Sequence, residues 1–358
     1  MTQRAVVAYV SGHGLGHAAR SAEVLRALRE RDPARPIQVR SAAAPWFLEE
    51  RLPPDIEVIP VTTDIGVLQP DSFGSDPLGS LKRYADLIAR WPERLQEEVA
   101  ALRAADAGVV FADIPPLGIA AGHAAGLPTF AMGNFGWDWI YRPFLERFAG
   151  FEAVGASIAD TYALTGRLFR LPLAEPMSAF PRQTDIPLVA RVSLRNRDET
   201  RRLLGLQPGQ RLVLLSFGGF GAGTIGADRL REDPELIFAS ADLWPGPFPP
   251  HGLSYTDVVA ASDAVLTKPG FSMLAECLAN GTPILAVPRE GFIEAPMLIE
   301  ELRARDWPLE IVPRERLVSG HFVEDVREAL ERFERPEPVP TGGAEIVAEA
   351  LLTASLEA

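Results

Sequence analysis

The chain has 358 residues, a length that corresponds to about two typical domains, and its 47% hydrophobic and 23% charged residues are those of an ordinary globular protein. The formal net charge of −13 argues against a nucleic-acid partner or an anionic lipid surface, which both require a clustered excess of Lys and Arg. Small anions such as nucleotides remain compatible with this charge, because helix N-termini and glycine loops bind phosphate inside acidic proteins.

No run of residues is long and apolar enough to form an integral membrane segment. The N-terminal sequence RAVVAYV lacks the apolar region and the small-residue cleavage site of a secretory signal, so we expect a cytoplasmic protein. The single cysteine, Cys277, excludes an intramolecular disulfide and a multi-cysteine zinc site. It falls in an apolar helical run and is expected to be a buried, unreactive thiol.

Apolar runs of strand length alternate with helical patterns through the first half, as in parallel βαβ units. The predicted strands are, in order, RAVVAYV, PIQVRSA, IEVIPVT, GVVFAD and LPTFAMG. After the first strand, HAARSAEVLRALRERD places Ala18, Ala22, Leu25 and Leu28 on one helical face. One doubly wound sheet is therefore predicted to account for residues 1 to about 170.

Residues 172–198 contain four prolines and no sustained period, which predicts a linker or irregular crossover. A second alternating series follows, with the predicted strands RLVLLSF, PELIFAS, DAVLT, TPILAVP and PLEIVP. We therefore predict an α/β protein of two Rossmann-like, doubly wound parallel-sheet domains facing each other across a cleft. The predicted ranges are 1–175, 190–335 and, for a C-terminal helix that packs back on the first domain, 340–358.

In parallel sheets, ligands bind beyond the carboxyl ends of the strands, so the residues directly after each strand are informative. In the first half these positions hold His13 and Gly14, Asp64, Asp113, Asn134, Trp137 and Asp138. Each aspartate taken alone could equally cap a helix. Their shared edge favours a binding or catalytic site.

His13 and His17 lie in the glycine-rich run SGHGLGHAAR. An imidazole can remove a proton from an attacking hydroxyl, especially when a carboxylate orients its other nitrogen. Two histidines four residues apart could also chelate a metal, but no third ligand lies nearby in the sequence, and we expect no metal site. A purely structural role for one of the two histidines remains open.

The second half contains two phosphate-binding patterns. In LVLLSFGGFGAG a strand ends in glycines, including Gly218 and Gly219, whose backbone N–H groups can bind a diphosphate. In TKPGFSMLAE a strand is followed by Lys268, Pro269 and Gly270, where a helix is predicted to start.

The same helix and the next strand supply polar side chains for a sugar nucleotide. Ser272 and Glu276 lie four residues apart on one helix face, and a carboxylate there can accept two ribose hydroxyls; a solvated glutamate is the alternative. Arg289 and Glu294 follow the next strand, within reach of a sugar.

These motifs resemble glycosyltransferases of the GT-B fold. The run GHGLGH is similar to the N-terminal loop of the peptidoglycan N-acetylglucosaminyltransferase family, whose final histidine matches His17, and KPGFSMLAE is similar to the donor signature that ends in a ribose-binding glutamate, here Glu276. The resemblance to plant-type transferases implies that Asp113 orients His17. It also implies that Glu294 contacts the donor sugar, although the glutamine that usually follows is Ala295 here, which leaves the sugar open.

A further resemblance covers nearly the whole chain, to the N-terminal glycosyltransferase-like half of plant L-arabinokinases. It rests on YVSGHGLGHAAR, DIGVLQPD, NFGWDWIY, MSAFPRQTDIPLVAR and SFGGFG. No glycine- and serine-rich ATP loop of the sugar-kinase type occurs in the sequence, so kinase activity is not expected.

Together these observations predict a metal-independent, inverting transferase that moves a hexose-type sugar from a UDP- or dTDP-linked donor to a hydroxyl acceptor, without a further cofactor. The donor would bind Gly218, Gly219, Lys268, Pro269, Gly270, Ser272, Glu276 and Glu294. The acceptor or sugar would contact Gly14, Arg20, Asp64, Asn134, Trp137 and Asp138. His17 is expected to be the base, with His13 and Asp113 beside it.

Two other functions remain open: a nucleotide-sugar epimerase or hydrolase, and a sugar-nucleotide-binding regulatory protein without turnover. A Rossmann dehydrogenase does not fit, because GHGLGH departs from the G-x-G-x-x-G spacing. The acceptor and the oligomeric state are not predicted.

Overall fold

The computed structural model describes residues 3–70, 73–218, 230 and 233–357. The chain forms two compact units. The first unit comprises Met1–Pro70, Ser75–Val189 and Thr341–Ala358, and the second comprises Asp71–Gly74 and Ala190–Pro340.

The described residues form strands and helices that mostly alternate along the chain. The strands are β1 (Ala5–Val10), β2 (Ile37–Ser41), β3 (Glu57–Pro60), β4 (Ala107–Asp113), β5 (Thr129–Gly133), β6 (Arg167–Arg170), β7 (Gln183–Asp185), β8 (Arg211–Ser216), β9 (Leu236–Ala239), β10 (Ala264–Thr267), β11 (Ile284–Ala286) and β12 (Leu309–Ile311). The helices are α1 (Gly16–Arg31), α2 (Pro45–Arg51), α3 (Pro77–Ala89), α4 (Trp91–Ala104), α5 (Pro116–Ala124), α6 (Trp137–Arg147), α7 (Glu152–Tyr162), α8 (Arg197–Leu203), α9 (Tyr255–Ala261), α10 (Phe271–Ala279), α11 (Glu294–Ala304), α12 (Arg314–Ser319), α13 (Phe322–Arg332) and α14 (Gly343–Glu357).

The first unit contains a 7-stranded sheet in the order β3-β2-β1-β4-β5-β6-β7, in which every neighbouring pair is parallel. All residues of β1 and β4 are buried, as expected for central parallel strands covered on both faces. The strand order reverses between β1 and β4, and such a switch point opens a crevice at the carboxyl ends of the two strands.

Helix α1 covers the sheet with the apolar face that the sequence predicts. Ala18, Ala22, Leu25 and Leu28 are all buried in the core of the first unit. The C-terminal helix α14 packs against α1 and β4, and its Val347 and Leu351 belong to the same core. The last helix of the chain thus lies beside the element that carries His17.

A buried ionic network attaches α4 to the central strands of the first unit. Arg40 of β2 donates from Nε to Glu98 Oε2 of α4 at 2.6 Å, and the Tyr9 hydroxyl of β1 donates to the same oxygen at 3.0 Å. A buried carboxylate is tolerated when it is paired and hydrogen-bonded in this way.

The second unit contains a 5-stranded parallel sheet in the order β12-β11-β10-β8-β9. Its core is formed by the apolar strands and by α13, and Phe73 of the short Asp71–Gly74 segment belongs to it. The predicted α/β class, with two parallel sheets of the Rossmann type, is confirmed.

The prediction of an irregular linker over residues 172–198 is wrong in one respect. Strand β7 (Gln183–Asp185) lies within that range and pairs with β6. It is a short edge strand of polar residues, fixed by a bidentate ion pair from Arg170 to Asp185, and therefore shows no apolar run in the sequence.

None of the helices in the described parts of the chain is both long and apolar enough to cross a bilayer.

Candidate functional site

A histidine and an aspartate meet where β1 and β4 end. His17 lies in the first turn of α1, and Asp113 is the last residue of β4. His17 Nδ1 is 2.8 Å from Asp113 Oδ1, and the two side chains are 5% and 0% exposed. The predicted pairing of these two residues is present in the structure.

Asp113 accepts further hydrogen bonds from the same helix. Arg20 donates from Nε to Oδ2 at 2.7 Å and from Nη2 to Oδ1, and the Ser21 hydroxyl donates to Oδ2 at 2.9 Å. Burial alone would raise the pKa of Asp113, but the charges of Arg20 and His17 and their hydrogen bonds lower it to about 2. Asp113 is therefore ionised throughout the physiological range.

The contacts of Asp113 determine which nitrogen of His17 carries the proton. An unprotonated Nδ1 would direct its lone pair at an ionised carboxylate oxygen 2.8 Å away, whereas an N–H group there donates to it. Arg20 Nη2 lies 3.0 Å from the same nitrogen but donates to Asp113 Oδ1. We therefore assign the proton of His17 to Nδ1, so that Nε2 carries the lone pair in the uncharged ring.

Asn134 extends this network. Arg20 Nη1 donates to Asn134 Oδ1, and Asn134 Nδ2 donates to the carbonyl oxygen of Pro172 at 2.6 Å. Arg20 is thus held by two side chains at the carboxyl edge of the sheet, from β4 and from the end of β5. The sequence predicted Arg20 and Asn134 as sugar contacts; in the structure Arg20 pairs with Asp113, and Asn134 accepts from Arg20.

Asp64 is a second buried carboxylate in the first unit. The indole Nε1–H of Trp137 donates to Asp64 Oδ2 at 2.9 Å. Burial raises the pKa of Asp64, and hydrogen bonds from Ser11 and Trp137 and the nearby His17 oppose that rise only in part. The two aspartates at this edge therefore have opposite pKa shifts.

His13 packs beside Trp137 and is held by the loop after β3. Its ring lies edge-on to the Trp137 ring, with centroids 5.3 Å apart, and its Nε2 is 3.2 Å from Gln69 Nε2. Gly66 has a φ of +63°, and a Cβ placed there would lie 2.6 Å from the His13 side chain. A glycine is therefore required at this position both for its backbone conformation and for the close approach of His13.

The turn after Asp113 carries backbone strain. Ile114 has a φ of +62°, a value that β-branched residues rarely adopt and that costs about 1–3 kcal/mol. The Ile114 side chain is fully buried, and its carbonyl oxygen accepts from the Tyr162 hydroxyl at 3.0 Å. Packing around Ile114 thus fixes the chain directly after the buried carboxylate.

The last two predicted residues of the first unit are Gly14 and Asp138. Gly14 is exposed in the loop before α1, with a φ of +66°. Asp138 lies in the first turn of α6, after the N-cap Gly136, and accepts hydrogen bonds from the backbone N–H groups of Trp139 and of Asp138 itself. Its described contacts do not include His13, His17 or Asp113.

In the second unit, the ends of β8 and β10 bring Gly218 and Lys268 together. Gly218 has a φ of +75°, and a Cβ placed there would lie 3.8 Å from Lys268 Nζ. Gly219, predicted beside it, lies outside the described residues. Gly270 is the N-cap of α10, which begins at Phe271, so Pro269 precedes the cap instead of starting the helix as the sequence predicted.

Glu276 and Ser272 both lie on α10, as predicted. Glu276 is buried and Ser272 half-buried. The helix ends at Ala279, with Asn280 as the C-cap and Gly281 at φ +61°, and Thr282 N–H donates to the Cys277 carbonyl at 2.9 Å. This is the glycine C-terminal motif that the sequence predicts. Cys277 is buried, which raises the pKa of its thiol.

Glu294 is the first residue of α11. Burial raises its pKa, opposed by its own backbone N–H group and by the charges of Arg289 and Lys268. The Arg289 guanidinium carbon lies 3.2 Å from the centroid of the Phe292 ring. Lys268, Arg289 and Glu294 therefore act on one another electrostatically at the carboxyl edge of the second sheet.

Three residues of the first-unit site were not predicted: Ser21, Gln69 and Gly66. Ser21 and Arg20 follow His17 at the i+4 and i+3 spacing of one helix face, and this spacing is the signal that could have identified Ser21. Gln69 and Gly66 lie on a loop remote in sequence from His13 and carry no comparable pattern.

Among the described residues, no three His, Cys, Asp or Glu side chains are grouped as metal ligands would be.

No protein-family profile matches the chain. Solved structures with the same architecture are glycosyltransferases. CalG4, the calicheamicin glycosyltransferase, matches with a TM-score of 0.58 at 17% identity, over 100% of this chain and 95% of that one. A UDP-glucosyltransferase from Polygonum tinctorium has a TM-score of 0.61 at 15% identity, over 99% and 100% of the two chains. Phytolacca americana UGT2, solved with UDP-2-fluoro-glucose and pterostilbene, has a TM-score of 0.59 at 14% identity, over 99% and 93%.

The chain therefore has the GT-B fold of glycosyltransferases. In sequence it is similar to L-arabinokinase of Arabidopsis thaliana, with 32% identity over 321 residues, which is 87% of this chain. The chain spans about a third of the length of that relative, since the match covers 31% of it.

Proposed function

We propose that the protein is a glycosyltransferase that moves a hexose-type sugar from a UDP- or dTDP-linked donor to a hydroxyl group of a small acceptor. The observation that carries this proposal is the buried pair of His17 and Asp113, with Nδ1 and Oδ1 2.8 Å apart at the switch point of the first sheet. The GT-B fold supports the same reaction class. Kinase activity of the arabinokinase relative is not part of the proposal.

In this proposal His17 is the general base. Its Nε2 accepts the proton of the acceptor hydroxyl while the hydroxyl oxygen forms a bond to the anomeric carbon of the donor sugar. The bond from that carbon to the diphosphate oxygen breaks with its electron pair on the diphosphate. Direct displacement of this kind inverts the anomeric configuration. The ionised Asp113 stabilises the imidazolium that forms, because it accepts from Nδ1.

Arg20 and Asn134 act as positioning residues in this account. Arg20 donates to both oxygens of the Asp113 carboxylate and is held in turn by Asn134. His13 is half-buried against Trp137, which donates to Asp64, and the acceptor would lie on this side of the group. Gly14 and Asp138 are peripheral to this group.

The donor would bind the second unit. Lys268 lies beside Gly218, and Gly270 caps the N-terminus of α10, so a positive charge and the positive end of a helix dipole occur close together in the chain. These groups, with Gly219, would stabilise the leaving diphosphate without a metal ion. Ser272 and Glu276 on α10 would bind the nucleoside ribose, and Glu294 the donor sugar.

The first-unit network favours catalysis over nucleotide binding alone. A protein that only senses a sugar nucleotide needs the donor residues of the second unit, whereas in the first unit Asp113 makes four buried polar contacts, one with His17, two with Arg20 and one with Ser21. Burying an ionised carboxylate costs folding free energy unless the carboxylate is fully paired. Here the paired carboxylate of Asp113 lies beside the imidazole of His17.

A ligand panel tests the proposal. UDP, dTDP, ADP and GDP and their hexose conjugates are added to the full chain, and the unfolding temperature is measured. A ligand at about 100 times its Kd stabilises a protein by about 2.7 kcal/mol, so a uridine or deoxythymidine species should raise the temperature clearly. The donor that binds is then incubated with hydroxylated acceptors, and the anomer of the product is determined by NMR. Stabilisation by none of these species would overturn the proposal.

A further inference from the structure

The first unit contains a cavity of about 590 Å³ beside the histidine site. Its size is that of a site for a small organic molecule. The loops after β1, β2 and β3 form one side, and α3 with the start of α4 forms the other. The lining residues are Gly12, Ala42, Pro60, Val61, Thr62, Asp64, Ile65, Arg83, Asp86, Leu87, Arg90 and Arg94.

The cavity adjoins the residues assigned to the acceptor. Asp64 lines it and accepts a hydrogen bond from Trp137, against which His13 packs. Gly12, also in the lining, directly precedes His13 in the chain. A molecule in this cavity would therefore lie against Asp64 and the loop that carries His13.

Three arginines line the cavity in a chain that otherwise carries an excess of acidic residues. Arg83 and Arg90 are exposed, and within the described residues neither side chain makes a hydrogen bond or an ion pair. Arg94 pairs with Glu97 at 2.6 Å and donates to the Thr62 carbonyl at 3.3 Å, which fixes it at the cavity wall. Asp64 and Asp86 are the acidic residues of the lining. Because Arg94 is paired with Glu97 and also lies 3.9 Å from Glu98, the arginines that can bind an added anion are Arg83 and Arg90.

We propose that this cavity binds an anionic group, a carboxylate or a phosphate, on the acceptor, with Arg83 and Arg90 as the residues that recognise it. The inference rests on the proposed glycosyl transfer and specifies the chemical class of its acceptor substrate. An arginine fork donates two parallel hydrogen bonds to either group. A neutral acceptor filling the same cavity would remove water from two guanidinium groups and offer them no partner, at a cost in affinity.

The proposal is tested by binding to the full chain at constant ionic strength and without a donor. Two matched series separate charge from shape: glucose with glucuronate and glucose 6-phosphate, and phenol with 4-hydroxybenzoate and 4-hydroxyphenyl phosphate. Inorganic phosphate is added as a separate probe. The variants are Arg83→Ala/Arg90→Ala and, as a control, Arg103→Ala, which replaces an exposed arginine of α4 outside the cavity.

We expect a charged member of at least one series to bind about tenfold more tightly than its neutral partner, and the double variant to lose this preference while Arg103→Ala keeps it. Equal binding of charged and neutral members in both series would overturn the proposal, as would an unchanged preference in the double variant. Binding of inorganic phosphate alone would also contradict it, because the site would then not recognise an acceptor. UDP binding is measured on the same samples: UDP binding without an anion preference overturns only this inference, whereas absence of any nucleotide binding counts against the glycosyl transfer itself.

Discussion

His17 Nδ1 and Asp113 Oδ1 lie 2.8 Å apart although the two residues are separated by 96 positions in the chain. They meet because β1 and β4 are neighbouring parallel strands, so that the helix after β1 starts where β4 ends. The contact is buried and fixes both the ring orientation and the tautomer of the histidine.

Replacement of Asp113 by Asn should destabilise the protein strongly at neutral pH. The change removes the negative charge that pairs with buried Arg20, and an unpaired buried charge costs about 3–5 kcal/mol. Urea unfolding at neutral pH measures the loss. The control is Asp185→Asn, which breaks the exposed ion pair with Arg170 and should cost about 1 kcal/mol or less. Equal effects of the two substitutions would show that the Asp113 network does not stabilise the fold.

The stabilising effect of Asp113 should disappear in acid. Its pKa is about 2 in the folded protein against an ordinary value of 3.8, a difference that corresponds to roughly 2 kcal/mol. Because the folded pKa is the lower one, this stability is present above the ordinary value and is lost as the pH falls through about 2. The gap in unfolding free energy between the wild type and Asp113→Asn should therefore narrow below about pH 4. A gap that stays constant with pH would contradict the assigned charge of Asp113.

Asp64 should behave in the opposite way. Its pKa is raised by burial, so its ionisation opposes folding, and the wild type loses stability as the pH rises above the ordinary value of 3.8 and through the raised one. Asp64→Asn lacks this loss, and its unfolding free energy relative to the wild type should increase between about pH 4 and about pH 7. Asp160→Asn, on the exposed face of α7, should show no such change. If the unfolding free energy of Asp64→Asn relative to the wild type fell over this pH range, the fold would stabilise the ionised form of Asp64, which contradicts the raised pKa.

Gly66→Ala should be more harmful than an alanine at another left-handed glycine. Gly126 has a φ of +71° with nothing within 4 Å of a Cβ placed there, so Gly126→Ala meets only the backbone penalty of about 1 kcal/mol. At Gly66 the new methyl group also collides with the His13 ring, which adds about 1–3 kcal/mol or displaces the ring. Thermal unfolding and the NMR signal of the His13 side chain report the two effects. Similar costs at both glycines would show that His13 is not held in this position.

Glu276→Gln should weaken UDP or dTDP binding without unfolding the protein, because it keeps the size of the buried side chain on α10. Loss of charged hydrogen bonds to the ribose predicts affinity lower by about 10- to 100-fold, measured by calorimetry. Glu331→Ala, at an exposed position of α13, is the control for charge and should bind as the wild type does. Unchanged affinity in Glu276→Gln would remove this residue from the donor site.

The central strands and helix α10 could be predicted from the sequence because each has a strong local signal. The strands β1 and β4 are continuous apolar runs, and residues directly after such strands share one edge of the sheet. That rule identified Asp113, whereas His17 was identified from its glycine-rich run and from the resemblance to GT-B transferases. Gly281 was likewise predictable, since a glycine directly after a helix has few alternative roles.

Other features depend on contacts that no local pattern encodes. Strand β7 is polar and gains its hydrogen bonds only from β6. The partner of Arg20 is Asp113, 93 positions away, so the sequence could not distinguish a sugar contact from a buried ion pair. Arg83 and Arg90 lie on helices whose charged residues resemble an ordinary solvated face, and only the folded chain shows the cavity they line.

The most direct test of the account is the rate of donor turnover by His17→Ala, measured as UDP or dTDP release with the donor and acceptor found in the ligand panel. Loss of a general base predicts a fall in kcat of about 10²- to 10⁴-fold, with donor affinity unchanged. His123→Ala, an exposed histidine on α5, serves as the control and should keep the wild-type rate. A His17→Ala variant that turns over donor at the wild-type rate would contradict the role of His17 as the base.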